Sequence, residues 1–248
     1  MKAPFARQGG KKAILEQIIK LIPPHNTYCE LFAGSAILFF NLPKAKLSVL
    51  NDLDHDVYER LKLLQKAPLD ESKYVSLNTI PSIKRFYNSQ HNTIADKISY
   101  HKIKASNGFG GTPIVNTKDI KTNYNPHNIT TNLKYYKEML KGVKITNKDY
   151  LELIDKYDAD DTFFFLDPPY ENTSSRFYGE TDFDYERLAN RLTSVKGNFM
   201  LTINDSKYIR KVFKGFVIKK IKVRSNWTDM EKHTSKSRDE LLIMNYRF

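Results

Sequence analysis

Seven short runs rich in β-branched and aromatic residues punctuate the chain: "YCELF", "KLSVLN", "VKIT", "TFFFLD", "NFMLTIN", "FVIKKIKV" and "ELLIMNY". Apolar runs of this length read as strands, and several are separated by helical patterns such as "HDVYERLKLLQK". Strands interleaved with helices predict an α/β sheet covered on both faces. Near the start, "KKAILEQIIKLI" puts Ile14, Leu15, Ile18, Ile19 and Ile22 on one stripe of a helix over 11–22, which Pro23-Pro24 stop.

The stretch 84–145 breaks this rhythm. It holds eleven Lys/Arg against three acids, a local charge of +8 within a total of +12, and is dotted with Asn, Tyr, Gly and Thr. We read it as an insert with its own task. A chain of 248 residues with 40% apolar content can bury a full core, so the basic excess falls on the surface and favours a polyanion. No 18-residue apolar run and no signal-peptide pattern occurs, which makes nucleic acid the expected partner, excludes a membrane partner and places the protein in the cytoplasm. Cys29, the single cysteine, excludes an internal disulfide and reads as a buried small hydrophobe. The six histidines lack ligand spacing, so no metal is expected.

Three stretches have the makings of a ligand site. "CELFAGSAILFF" runs from a strand through Phe32-Ala33-Gly34-Ser35-Ala36 towards a predicted helix, and its small residues let backbone approach a ligand; a plain strand-to-helix turn is the other reading. Asp52 ends the next strand eighteen residues after Gly34, near the offset at which an acid binds ribose hydroxyls, although it could instead cap the helix that follows. In "RQGGKK", Gly9-Gly10 precede Lys11, but Phe5 stands where a phosphate loop needs its first glycine. The pair either wraps a ligand or is a flexible approach to the first helix.

"LDPPY" follows the buried run "TFFF". Proline holds the residue before it extended, so Asp167 is fixed at the strand's end, while Pro168 lacks an N–H and offers a carbonyl acceptor. An amino group conjugated to a heteroaromatic ring is a poor nucleophile. Two acceptors that take both of its hydrogens localise its lone pair for attack, and Tyr170 offers a face on which the ring can stack. This suits alkylation of the amino group of a flipped-out base; a bare Pro-Pro turn is the competing reading.

In these motifs and in their order the chain resembles the DNA adenine-N6 methyltransferases of the Dam type. The resemblance runs over nearly the whole chain: "PFARQGGK", "ELFAGSA", "LNDLD", the insert, "ITNKDYLELI", "FLDPPY", "NFMLTINDSKYIRKVF" and "RDELLIMNY". It implies a seven-stranded, mostly parallel Rossmann-like sheet that binds S-adenosyl-L-methionine (SAM), formed by residues 1–83 and 146–248. Residues 84–145 become a smaller, mainly helical target-recognition insert. By the resemblance Arg7, Lys11, Glu30, Phe32, Gly34, Asp52, Asp149 and Asp167 contact the cofactor, and Asp167, Pro168, Pro169 and Tyr170 form the target-base motif. Arg7 stands where the family often has an aromatic residue, and Ala36 where many members have a second glycine, an exchange that a negative φ would tolerate.

The expected reaction is in-line transfer of the SAM methyl to adenine N6 in double-stranded DNA after base flipping, without a covalent intermediate. N4-cytosine transfer, an RNA or protein substrate, and a non-catalytic nucleic-acid-binding relative are the alternatives. Within the insert, Lys102, Lys104, Lys118 and Lys121 are expected to position the duplex and Asn107 to read a base edge, among Tyr87, Tyr100, Tyr124, Tyr135 and Tyr136. A bacterial, phage or plasmid origin is expected, with a cognate restriction nuclease as a partner that activity does not require.

Overall fold

The computed structural model describes residues 3–5, 11–107, 124–171, 183–228 and 235–247. Arg7, Lys118 and Lys121 therefore lie outside the described residues, and Asn107 is described in its backbone alone.

In chain order the elements are α1 (Leu15–Ile19), β1 (Thr27–Glu30), β2 (Leu47–Asn51), α2 (His55–Lys66), α3 (Ile80–Tyr87) and α4 (Ile94–Asn107). They continue with α5 (Pro126–Thr130), α6 (Leu133–Leu140), β3 (Lys144–Thr146), α7 (Tyr150–Tyr157), β4 (Thr162–Leu166) and α8 (Tyr185–Leu192). The last are β5 (Asn198–Asn204), α9 (Lys207–Val212), β6 (Val217–Thr228) and β7 (Ser235–Met244). Each of the seven apolar runs forms its strand.

The strands make one sheet in the order β3-β2-β1-β4-β5-β7-β6. The first five are mutually parallel and only β7 runs against its neighbours, so the fold is mixed α/β with a mostly parallel sheet. Alternation divides each strand between two cores. Phe163 and Phe165 of β4 join the core under α1, α2, α4 and α6, whereas Phe164 and Leu166 join the one under α7, α8 and α9. Cys29 lies wholly buried in the second core, where burial pushes its thiol up to about 12. No described helix is long and apolar enough to cross a membrane.

Two local expectations fail. The helix read over 11–22 divides into a 3₁₀ turn, Lys11–Ala13, and the short α1, because Ile14 between them has φ of −120°. The stretch after Gly34 forms only a 3₁₀ turn at Phe39–Asn41, and Ala36 has φ of +50° rather than the negative value that suits alanine.

Residues 84 and 145 fall inside α3 and β3, and α6 packs on α2 as part of the main core through Leu133, Tyr136 and Leu140. Leu77 and Tyr124 pair as an isolated antiparallel bridge that ties the start of the helical stretch to its return.

Candidate functional site

The carboxyl ends of the parallel strands gather the residues that the sequence singled out. Asn51, at the end of β2, is 1% exposed, and its amide fixes three loops at once. Its Nδ2 donates to the carbonyls of Leu31 and Lys148 at 3.0 and 2.9 Å, while its Oδ1 accepts from Thr146 Oγ1 and the Lys148 amide at 2.8 and 3.0 Å. Asp52 follows directly. Its Oδ2 accepts the Gly34 amide at 2.7 Å and its Oδ1 the Asp54 amide at 2.9 Å, so the carboxylate fastens the glycine turn to the end of β2. Gly34 has φ of +50°, which only glycine adopts without cost. Helix α2 is capped by Asp54, whose side chain accepts the Asp56 amide, and not by Asp52.

Leu53 is 68% exposed beside this turn, and its carbonyl and that of Asp52 accept from Asn147 Nδ2 at 2.9 and 2.8 Å. Sequence reading passed over Leu53; an apolar side chain directly after a ligand-type acid was the available signal. Asp149 caps α7 by accepting the Leu151 amide at 2.8 Å, with Arg187 3.5 Å from its second oxygen. Phe32 lies against Tyr150 and Phe183, with ring centroids 5.3 and 5.6 Å away.

At the end of β4, Asp167 points to the same sheet face as Phe165. Its Oδ1 accepts both the Lys11 ammonium at 2.7 Å and Thr202 Oγ1, from β5, at 2.8 Å. Lys11 is only 4% exposed and Asp167 22%, so the pair is largely withdrawn from solvent. The same ammonium stands 4.8 Å from the ring centroid of Tyr170, a cation–π contact. The Pro169 carbonyl accepts the Tyr185 hydroxyl at 2.7 Å, which pins the loop on its far side. Thr202 and Tyr185 were not anticipated, since each meets its partner only through the tertiary fold.

Glu30 closes β1 beneath these groups. Burial raises its carboxyl to about 8, although the Tyr28 hydroxyl, donating to Oε2 at 2.9 Å, and the Phe39 amide oppose the shift; Asp167 and Asp52 add repulsion. Burial likewise pushes the Tyr28 phenol well up. Glu30 is therefore held largely as the neutral acid at neutral pH, near two carboxylates.

The helices over 80–140 are organised differently. Phe86, His91, Tyr100 and Tyr87 pack in that order as a chain of rings with centroids 4.6 to 5.0 Å apart. Tyr124 and Tyr136 are buried, and Tyr135 donates to the Phe40 carbonyl, so these tyrosines build the core rather than face a ligand as the sequence suggested. Of the two described lysines expected on the duplex, Lys102 is exposed, whereas Lys104 turns to α2, 3.8 Å from Asp56. Asp56, Glu59 and His101 converge closely enough to suggest a metal site. Arg60 and Lys97 already neutralise the two acids at 2.6 and 2.8 Å, and burial with the nearby Arg60 pushes His101 down to about 4.

A family model and two relatives bear on what this arrangement serves. The family model described as "D12 class N6 adenine-specific DNA methyltransferase" matches residues 8–227. The type II methyltransferase M.MjaIII of Methanocaldococcus jannaschii is 27% identical, with 98% of this chain and 99% of that protein covered. The type II methyltransferase M.CviBI of Paramecium bursaria Chlorella virus NC1A is 26% identical over 88% of each. Among solved structures, a precorrin-6y C5,15-methyltransferase from Geobacter metallireducens GS-15 superposes with a TM-score of 0.44 at 11% identity, covering 98% of this chain and 94% of that one.

Proposed function

The chain belongs to the D12 class N6 adenine-specific DNA methyltransferases, and from that premise we propose how its residues divide the work of methylating adenine in DNA. The activity is SAM-dependent transfer to N6, which sets aside cytosine N4 and the non-catalytic reading. The observation that carries the assignment of roles is the convergence of Lys11 and Thr202 on one oxygen of Asp167, with the Tyr170 ring against the same Lys11 ammonium.

The donor set fits SAM. The Asp52 and Asp167 carboxylates, both close enough to Glu30 to raise its carboxyl, suit a ligand bearing a sulfonium and an ammonium. Asp52, oriented by two backbone amides, is the acid that meets the ribose hydroxyls in this scheme, and the exposed Leu53 offers an apolar face to an adenine ring. Phe32, Gly34 and Asp149 complete this half in the proposed scheme, with Arg7 contributing from outside the described residues. When bound, SAM supplies a methyl group made electrophilic by the sulfonium.

The target adenine leaves the stack and places its amino group between Asp167 and the Pro168 carbonyl, with its ring on Tyr170. Asp167 accepts one N–H and the carbonyl the other. The lone pair then points out of the conjugated plane, and the proton released as the N–C bond forms leaves through the carboxylate or water. Thr202 and Lys11 act by positioning: each bonds the same Asp167 oxygen and fixes the carboxylate plane. Tyr185 does the same for the proline loop. Preplaced acceptors of this kind contribute about 3 kcal/mol or more each.

Double-stranded DNA is held in the scheme by the helices over 80–140, with Lys102 on phosphate and Asn107 on a base edge. A cytoplasmic setting and pairing with a restriction nuclease remain parts of the proposal; the curated relatives carry the name type II methyltransferase. Sequencing of modified bases in DNA from cells that express the chain tests the reading. Methylated adenine in one short sequence context is the expected result, and unmodified DNA from cells holding folded protein ends it.

A further inference from the structure

A second basic stretch lies far from the helical region. Residues 207–224 contain eight Lys/Arg and no acid, a charge of +8 in eighteen positions. They form α9 and the first part of β6. Ile209 and Phe213 turn inward, leaving Lys207, Arg210, Lys211, Lys214, Lys220 and Lys222 exposed. Two of these have acidic partners: Arg210 grips Asp205 through both oxygens at 2.6 and 2.9 Å, and Lys220 reaches Asp239 at 2.7 Å. Lys207, Lys211, Lys214 and Lys222 have no ion-pair partner among the described residues.

This face borders the site. Asp205, its anchor, immediately follows β5, whose Thr202 bonds Asp167. Tyr208, 40% exposed within the patch, meets the ring of Tyr185, which holds the Pro169 carbonyl. β6 also runs past the site end of the sheet. Its Ile221 is level with Glu240 and, through it, with Asn204 at the end of β5, so Lys222 and the positions after it overhang the edge. Like charges gathered without neutralising partners cost the fold self-repulsion and suit a polyanion.

We propose that α9 and β6 form a second DNA-backbone contact, which holds the duplex on the side of the target adenine opposite the helical region. The inference rests on the DNA reading of the site. Strands about 4.8 Å apart put β6 about 14 Å from β4, and a duplex rising 3.4 Å per base pair spans that in about four base pairs. β2 and the helices over it lie to the other side of β4. The target base thus sits between two phosphate-contacting regions, and the flank over β6 is bound through its backbone, independent of sequence.

The test replaces Lys207, Lys211, Lys214 and Lys222 by alanine together. A control variant removes four exposed lysines elsewhere, Lys46, Lys66, Lys73 and Lys196, for the same change in net charge. Binding is measured against salt on a long duplex carrying the methylated site and on one trimmed at either flank. The patch variant should lose about 0.9 from the magnitude of the log–log slope for each phosphate contact removed, and should no longer distinguish the long duplex from the one trimmed on the β6 side. Its kcat at saturating DNA and its SAM affinity should stay at the unsubstituted level while KM for DNA rises. An unchanged slope, or an equal loss in the control variant, overturns the proposal. A parent chain that methylates no adenine would instead end the functional reading, which separates the two failures.

Discussion

The turn between β1 and β2 and the helices over 80–140 solve opposite problems. The turn is held by carboxylates and amides bonding to backbone: Asp52 to Gly34 and Asp54, Asn51 to Leu31 and Lys148. The helices are held largely by stacked rings and ion pairs between side chains, such as Phe86 on His91 and Lys97 on Glu59 of α2, with a few side chains reaching backbone, as Tyr135 does at Phe40. Bonds to backbone fix loop positions whatever the neighbouring side chains are, and a cofactor that never varies needs such a fixed frame. Contacts among side chains let the surface residues be exchanged while the helices stay packed, which suits a region that meets a DNA sequence.

The largest expected effect lies on the rigid side. Asp167→Ala should lower methyl transfer about a hundredfold or more, by analogy with loss of one preorganised hydrogen-bonding group. It should also cost about 3–5 kcal/mol of stability, because the largely buried Lys11–Asp167 ion pair is broken. Pairing it with Lys11→Met should restore the denaturation midpoint but not the activity; recovery of both would reduce the ion pair to a structural role. Asn51→Ala comes next. Four bonds disappear at a buried position, and about 2–4 kcal/mol of stability should go with them, together with SAM affinity, as calorimetry can read.

Glu30 sharpens the contrast through pH. Its folded pKa of about 8 lies above the ordinary 4.5, so the native state binds the extra proton between those values. Its contribution is fully present below about 4.5 and is lost as pH rises through 8. Stability should therefore fall across that window, and Glu30→Gln should flatten the fall; an unaltered profile in urea titrations at several pH values contradicts it. On the adaptable side, Lys102→Ala should weaken binding to all duplexes alike and reduce the salt slope by about one, without change in kcat. The smallest effect belongs to Ala36→Gly. Relief of the left-handed conformation, worth about 1–2 kcal/mol, is offset by the freedom that glycine gains in the unfolded chain and by loss of a wholly buried methyl, about 0.8 kcal/mol, so the urea midpoint should barely move.

How far the molecule could be read beforehand follows from the range of each interaction. Every strand was legible, because a run such as "TFFFL" must be buried on both faces whichever neighbours it takes. The strand order was not, since apolar runs do not say which of them pair. Asp52 stands out by its spacing from Gly34, and the structure joins those two residues through the Gly34 amide, yet the helix expected after Gly34 shrinks to a 3₁₀ turn because two residues there take positive φ. The Lys11–Asp167 pair joins positions far apart in sequence, and no local pattern announces it. The tyrosines of the helical region misled for a related reason: phenol rings serve cores and ligands equally well, and Tyr124 and Tyr136 went to the core. Of the basic run at 207–224, only 216–223 stands out in the sequence, as a strand, because apolar residues alternate with its lysines.

β7 lies between β5 and β6 although it is made after both. While a ribosome synthesises the stretch from Asn204 to Met244, roughly 40 residues at ~5–20 residues per second, β5 waits about 2–8 s with one edge unpaired. The apolar run Phe199–Ile203 is exposed to misassociation for that interval. A chain cut short before Ser235 would not make a narrower sheet; it would leave a gap beside the strand that supplies Thr202 to Asp167. The topology thus makes the catalytic edge one of the last parts of the sheet to be completed.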